Sequence, residues 1–489
     1  MPAPASPVRA LPIGEPSLRP LSPEGLARLH GASLRILVET GVAVGSAGIR
    51  DRLAAAGARV DGDRVRLPAA LVEAALAAAP RHYTLAAREP AWDLPLDGAH
   101  GYLSVDGSAA EILDLDSGVR RSSTEADLAQ VTRLADALPE IAFLWQGVEA
   151  GDRPVPVRPL HELRTQLANS GKHVQLMTAV TPIAARGAVE LARAVVGGAD
   201  ALRARPILSS FQVSLSPLQF EGDALEAALV YADAGVPAGF VVMAIGCATA
   251  PATPAGVLAQ TNAEVLAGVT ILETLAPGSP TFYGACSTTM DLRSGLVACG
   301  GPEDLLYQAA FAQLARHYRI PSSVGTFAPG AKSPDWQAGL ENGLSGLVSL
   351  LAGADMLSGA GLLFAARVFA LEEMVLDAEI FGLIRHLAAG IAVDDETLAV
   401  EVIGEVGPAG NFLTEDHTLA HMRGLWQPRL FDRRTWEDWE VRGRPTPRDR
   451  ARERARTLLA THVPPPLADG VGEELDRIVA AFAREAGVG

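Results

Sequence analysis

From about residue 140 a unit of three parts recurs along the chain. A short apolar run comes first, then a Gly-rich or polar turn, then a stretch with apolar residues at i, i+3 and i+4. The runs are IAFLWQGV from Ile141, HVQLMTAV from His173, ILSSFQVS from Ile207, GFVVMAIG from Gly239, TFYGAC from Thr281, SSVGTF from Ser322 and ADMLSGAG from Ala354. Continuous apolar runs of this length suit strands buried on both faces, and their spacing leaves room for one crossover helix each. GYLSVDG from Gly101 supplies an eighth strand, followed by a hairpin in ILDLDSG and a helix from Thr124 to Leu138. The pattern predicts an α/β fold, a (β/α)8 barrel of parallel strands.

Turn chemistry supports the helix starts. Thr181-Pro182, Ser216-Pro217, Thr253-Pro254, Gly301-Pro302 and Ser333-Pro334 each place a capping residue before a proline, which satisfies free N–H groups and pre-sets φ. A doubly wound sheet is the rival. It would offer a phosphate loop or a dinucleotide fingerprint after its first strand, and neither stands there. The expected organisation is a Pro-rich disordered leader over 1–20, a helical N-terminal extension over 21–100, the barrel over 101–370 and a helical C-terminal extension over 371–489.

Composition narrows the function classes. Hydrophobic residues make up 48% and charged residues 20% of the 489, so a large core is expected. The formal charge of −16, with no basic run, excludes a nucleic-acid partner held through phosphates. Three cysteines, Cys247, Cys286 and Cys299, lack metal or disulfide spacing, and the cytoplasm is the expected compartment. The uncharged stretch between Asp233 and Glu264 is broken by Pro237, Pro251 and Pro254, so it reads as buried strand and helix and not as a membrane span.

In a barrel of this kind the reactive groups sit at the C-terminal ends of the strands. That places Trp145 and Gln146, Gln175, Gln212, Met243 and Cys247, Tyr283 and Cys286, and Thr326 and Phe327 near one mouth, with Lys332 in a following loop. The set is rich in amides, aromatics and sulfur and short of acids and bases. Each member has an ordinary alternative: core packing for Trp145, Phe211, Phe282, Tyr283 and Phe327, a solvated loop position for Lys332, an inert thiol for each cysteine. Glu264, Asp291, Glu341, Asp377 and Glu379 are helix-segment carboxylates of a kind that more often caps a helix or pairs with an arginine than catalyses, and His417 beside Asp416 can equally belong to a surface helix start.

Three long segments carry a resemblance. They begin APATPAGVLAQTNAEVLAG at Ala250, GPEDLLYQAAFAQLARHY at Gly301 and MVLDAEIFGLIRHLAAG at Met374. Together they resemble the trimethylamine methyltransferase family, and the likeness runs from about Leu21 to Pro465. It implies a barrel that passes a methyl group from an amine to the cobalt(I) of a partner corrinoid protein, with no tightly bound cofactor or metal of its own and no side-chain base. The archetypal trimethylamine enzyme uses pyrrolysine, whereas every residue here is standard. The pyrrolysine-free branch implies a quaternary, betaine-like amine, which departs as a neutral molecule. Trp145, Phe211, Phe282, Tyr283 and Phe327 are then expected to form the cationic pocket, Gln175 and Gln212 to orient the substrate, and Lys332 with His417 to meet an anionic group. Where many relatives read a Thr-Asp-Ala-Lys-like turn, this chain reads Pro329-Gly330-Ala331-Lys332. A homo-oligomer is expected. A non-catalytic amine binder, or a lyase using Lys332 as amine nucleophile, are the alternative readings.

Overall fold

A computed structural model describes residues 8–488. Eight short strands, buried but for residues at their ends, pair in parallel: β1 (His100–Val105), β2 (Ile141–Leu144), β3 (His173–Leu176), β4 (Leu208–Val213), β5 (Ala238–Val242), β6 (Tyr283–Ala285), β7 (Ser322–Gly325) and β8 (Met356–Ala360). The ring closes between β8 and β1, with Met356 opposite Tyr102 and Ser358 opposite Ser104. All eight predicted apolar runs are the barrel strands. Closure leaves no exposed edge and a single interior whose residues alternate with those facing the helices.

The crossover helices are α2 (Glu125–Ala137), α3 (Arg158–Asn169), α4 (Pro182–Val196), α5 (Gly222–Asp233), α6 (Pro254–Leu275), α7 (Pro302–Tyr318) and α8 (Trp336–Ala352), preceded by α1 (Pro23–Arg35). Thr124 caps α2 in a reciprocal capping box with Asp127, and Thr181 accepts from Ala184 N at the start of α4. Three of the five Pro starts hold: α4, α6 and α7 begin at Pro182, Pro254 and Pro302. Two are displaced. Ser216-Pro217 lies in a loop tied to Glu264, and α5 begins at Gly222. Beyond Ser333-Pro334, Asp335 accepts from Gln337 N and Ala338 N and so caps α8 two residues later.

Outside the barrel, Leu11–Pro12 pairs antiparallel with β1, and Leu11 is buried. Part of the stretch expected as a disordered leader is therefore ordered against the barrel; residues 1–7 of it lie outside the described residues. The N-terminal extension adds more than helix. Val42–Val44 pairs with Arg64–Arg66 and with Gln219–Phe220, and Tyr83–Leu85 pairs with Leu94–Leu96. This last hairpin plugs one end of the barrel, since Val8, Leu85, Leu94 and Leu96 pack in one cluster with Tyr102, Phe143, Trp145, Phe211, Val241, Phe282 and Met356. The interior is thus a blind cup.

On the far side, α9 (Leu371–Ala388) packs against α10 (Pro447–Thr461), while α11 (Val471–Glu485) covers α4. Gly187 of α4 permits that approach, because a Cβ there would meet Leu160 at 2.7 Å and the Phe482 ring at 3.2 Å. Between α9 and α10 the chain changes character: no residue from Arg385 to Arg429 is buried, although Ile391, Val400, Leu413 and Leu425 are each more than 60% exposed. Among the described residues one helix, α6, is long and apolar enough to cross a membrane, and 83% of its apolar window is buried in the molecule.

Candidate active site at the barrel mouth

Strand alternation decides which predicted residues meet. Trp145, Gln175, Phe211 and Phe282 face the interior. The Trp145 indole N–H donates to Gln175 Oε1 at 2.7 Å, and its ring lies 4.5 Å from that of Phe211 at an interplanar angle of 49°. Gln175 Nε2 donates to Ser209 Oγ at 3.2 Å. Phe282 covers Gly239, where a Cβ would meet its ring at 2.8 Å, so the missing side chain on β5 makes room for the aromatic on β6. Below this layer His173 bridges Ala86 O and Ser209 Oγ, each at 2.7 Å. Burial pushes its pKa down to about 4, so it is a neutral structural group and no base.

The partners of these residues by one step of the chain point the other way. Tyr283, next to Phe282, is fully buried toward the helices, where its hydroxyl donates to Asn262 Oδ1 at 3.0 Å. Gln212, next to Phe211, donates to Ser210 Oγ at 3.1 Å within its own strand and is likewise buried. Neither lines the cup, because period-2 alternation puts neighbours on opposite faces. Phe327 stands past the end of β7 with φ +43° and packs against Gly346 of α8 and Ile384 of α9, also behind the wall. Lys332 is exposed; its ammonium donates to Gly330 O at 2.6 Å and lies 5.0 Å from the Phe364 ring centroid. His417 belongs to the short exposed helix Asp416–His421, its ring 4.3 Å from that of His421. The nine expected residues thus separate into an interior group of four, a wall group of three, and two on the periphery.

At the open end stand groups the sequence reading passed over. Asp106 follows β1, two residues past Ser104, which is paired with Phe143 two residues before Trp145. Its carboxylate accepts from Gly107 N at 2.5 Å. Burial pushes its pKa up to about 7, opposed in part by the Ser358 hydroxyl and the Gly107 N–H. Cys286 packs against the aromatic cluster, and burial followed by the field of Asp106 pushes its thiol far above the usual range. Cys299 is pushed up to about 12 and Asp304 up to about 7, both mainly by burial. The thiols stay protonated and are poor nucleophiles. An acid at the C-terminal end of a barrel strand, as in GYLSVDG, was the signal that could have singled out Asp106.

The other carboxylates pin backbone. Glu264 accepts from Ser214 and Ser216 hydroxyls at 2.7 Å and from Leu218 N at 3.0 Å. Glu341 accepts from Gly330 N at 2.8 Å, holding the altered turn, and Asp377 accepts from Asn342 Nδ2 at 2.7 Å and Gly361 N at 2.8 Å. Asp291 accepts from Arg293 N at 3.0 Å, and Glu379 from Arg429 N at 2.7 Å. Among the described residues no group of three or more His, Cys, Asp or Glu is placed to hold a metal. The arrangement sets buried aromatic rings and one oriented amide inside the barrel, with one carboxyl past the end of the neighbouring strand.

Residues 3–487 match the family model described as trimethylamine methyltransferase (MTTB). A trimethylamine methyltransferase of Desulfitobacterium hafniense (strain DSM 10664 / DCB-2) is 35% identical over 96% of this chain and 94% of its own length. A glycine betaine methyltransferase of Desulfitobacterium hafniense (strain Y51) is 33% identical over 96% and 98%. Among solved structures, the monomethylamine methyltransferase of Methanosarcina barkeri superposes with a TM-score of 0.50 at 15% identity, covering 90% of this chain and 88% of that one, a likeness of fold alone.

Proposed function

The chain belongs to the trimethylamine methyltransferase family, and on that premise we propose that this methyltransferase takes a methyl group from a quaternary amine and delivers it to the cobalt of a separate corrinoid protein. The observation that carries the choice of donor is the interior cluster of Trp145, Phe211 and Phe282 with the Gln175 amide beside it. Aromatic faces attract a methylated ammonium through their quadrupoles and need no hydrogen bond from it. A quaternary nitrogen already carries the charge that makes a neutral amine the leaving group, so no side chain has to protonate it. The corrinoid's cobalt(I) supplies the nucleophile.

The chain's own residues have three tasks. Trp145, Phe211 and Phe282 hold the ammonium and keep water from it. Gln175, fixed by Trp145 and Ser209, sets the orientation of the pocket wall, and so the line along which an N–CH₃ bond faces the open end. The plug of Leu85, Leu94 and Leu96 closes the opposite end, so donor and acceptor approach from the mouth. Lys332, exposed and engaged with Gly330 O and Phe364, holds its own loop and does not act as an amine nucleophile. A cytoplasmic homo-oligomer completes the reading: the apolar side chains exposed along the stretch with no buried residue are those a second copy would cover.

The experiment is a single-turnover assay with purified protein, a corrinoid protein reduced to cobalt(I) and a panel of quaternary and tertiary amines. The expected result is the visible absorbance change of corrinoid methylation with at least one quaternary amine and none with trimethylamine. A panel without any change would refute the proposal.

A further inference from the structure

The charge at the mouth narrows the donor further, an inference that rests on the methyl-transfer reading above. Asp106 stands at the rim of the aromatic cup, one strand over from Trp145. The groups around it come from every side of the mouth: the Ser358 hydroxyl from β8, Gly107 N–H from its own loop, and Cys286 from the end of β6, with Cys299, Asp304 and Glu341 beyond. All are neutral or acidic. Among the described residues no lysine, arginine or histidine makes an ion pair with Asp106. Of the two peripheral candidates for cationic contact, Lys332 is engaged with Gly330 O and Phe364, and His417 lies in the short helix Asp416–His421, outside the barrel strands.

A partly buried carboxyl without a cation is costly unless something positive arrives. An ammonium held against Trp145, on the strand next to the one that ends at Asp106, would do so. A betaine would bring its own carboxylate to the same opening, next to Asp106 and with no cation to receive it. We infer that Asp106 is the counter-ion of the donor's ammonium, and that the site selects a quaternary ammonium of net positive charge, choline-like, over a betaine.

The pH dependence follows with a definite sign. Asp106 is raised to about 7 by burial, so a cation binds better once it is ionised, and affinity rises from pH 6 to pH 8. A carboxylate-bearing donor accepted through a protonated Asp106 would show the reverse.

The test is calorimetric titration of the full chain with tetramethylammonium, choline and glycine betaine at pH 6 and pH 8, repeated with Asp106→Asn and Asp106→Glu, each checked by circular dichroism. We expect choline to bind at least tenfold tighter than glycine betaine at pH 8, a rise in choline affinity between the two pH values, loss of tenfold or more in Asp106→Asn, and partial retention in Asp106→Glu. The wild-type comparison needs no variant, so a misfolded mutant does not spare the inference. Equal binding of the two ligands, tighter binding of betaine, or an affinity that falls with pH overturns it while leaving methyl transfer intact. Absence of binding by any of the three, together with no methyl transfer, overturns the functional reading as well.

Discussion

At the scale of single residues, one step along a strand separates a pocket residue from a wall residue. Phe282 and Tyr283 are adjacent aromatics in a run apolar on both faces, and the sequence gives no contrast between the faces of such a run. The aromatic content of the mouth is therefore legible while its membership is not: Tyr283 turns to Asn262, Gln212 to Ser210, and Asp106 is marked only by its place after a strand. The interior assignment predicts a separation of effects. Trp145→Phe keeps a ring in place but removes the N–H that engages Gln175, and is expected to raise the donor's KM several-fold with a thermal midpoint close to that of the parent; an unchanged KM in steady-state methyl transfer would remove Trp145 from the pocket. Glu264→Ala should do the opposite. It strips the acceptor from two hydroxyls and one backbone N–H in a buried loop, a loss of about 3 kcal/mol in urea unfolding, with the donor's KM unaltered.

At the scale of elements, the strands were the most legible part because a parallel barrel strand must be apolar throughout, and eight such runs at regular spacing admit few other arrangements. Helix starts were legible only where the proline itself stands at the first helical position. Asp335 overrides Ser333-Pro334 because its carboxylate reaches two free N–H groups, and the Ser216-Pro217 loop is held by Glu264, a partner distant in sequence by 48 residues and invisible to local reading. The stretch from Arg385 to Arg429 is the reverse case, helical in several short pieces yet with no residue buried. Its exposed Ile391, Val400, Leu413 and Leu425 predict an interface with a second copy. Light scattering should then give the full chain a mass that is a multiple of 51.0 kDa, and replacing 391–428 by a short glycine linker should lower it to the monomer. A full-length monomer at micromolar concentration would exclude that role.

At the scale of the whole molecule, the barrel buries acids, and this sets how stability varies with pH. Glu162, Asp304 and Asp377 lie within the packed shell; burial is the main reason Glu162 and Asp304 are raised to about 7, and it raises Asp377 as well. In the unfolded chain the same groups titrate near 4.5 for Glu162 and 3.8 for the aspartates. Between those limits the native state holds a proton that the unfolded chain has released, so unfolding releases protons and stability falls as pH rises. The slope is about 1.4 kcal/mol per pH unit for each group, flattening below the unfolded values and above 7. Carboxylates lowered by backbone N–H and hydroxyl donors, such as Asp291 and Asp394, act in the other direction, but they titrate below the acid end of that window and are exposed. The expected profile falls from pH 5 onward and is lower by several kcal/mol at pH 7.5. Urea midpoints at the two pH values measure it, and Glu162→Gln, which keeps the shape and removes the titration, should flatten the profile by roughly one group's share. A midpoint that is constant or rises across this range would mean that these acids are ionised and paired in the native barrel. In that case the rise assigned to Asp106 at the mouth would lose its physical basis too, since burial is the main cause invoked for each of them.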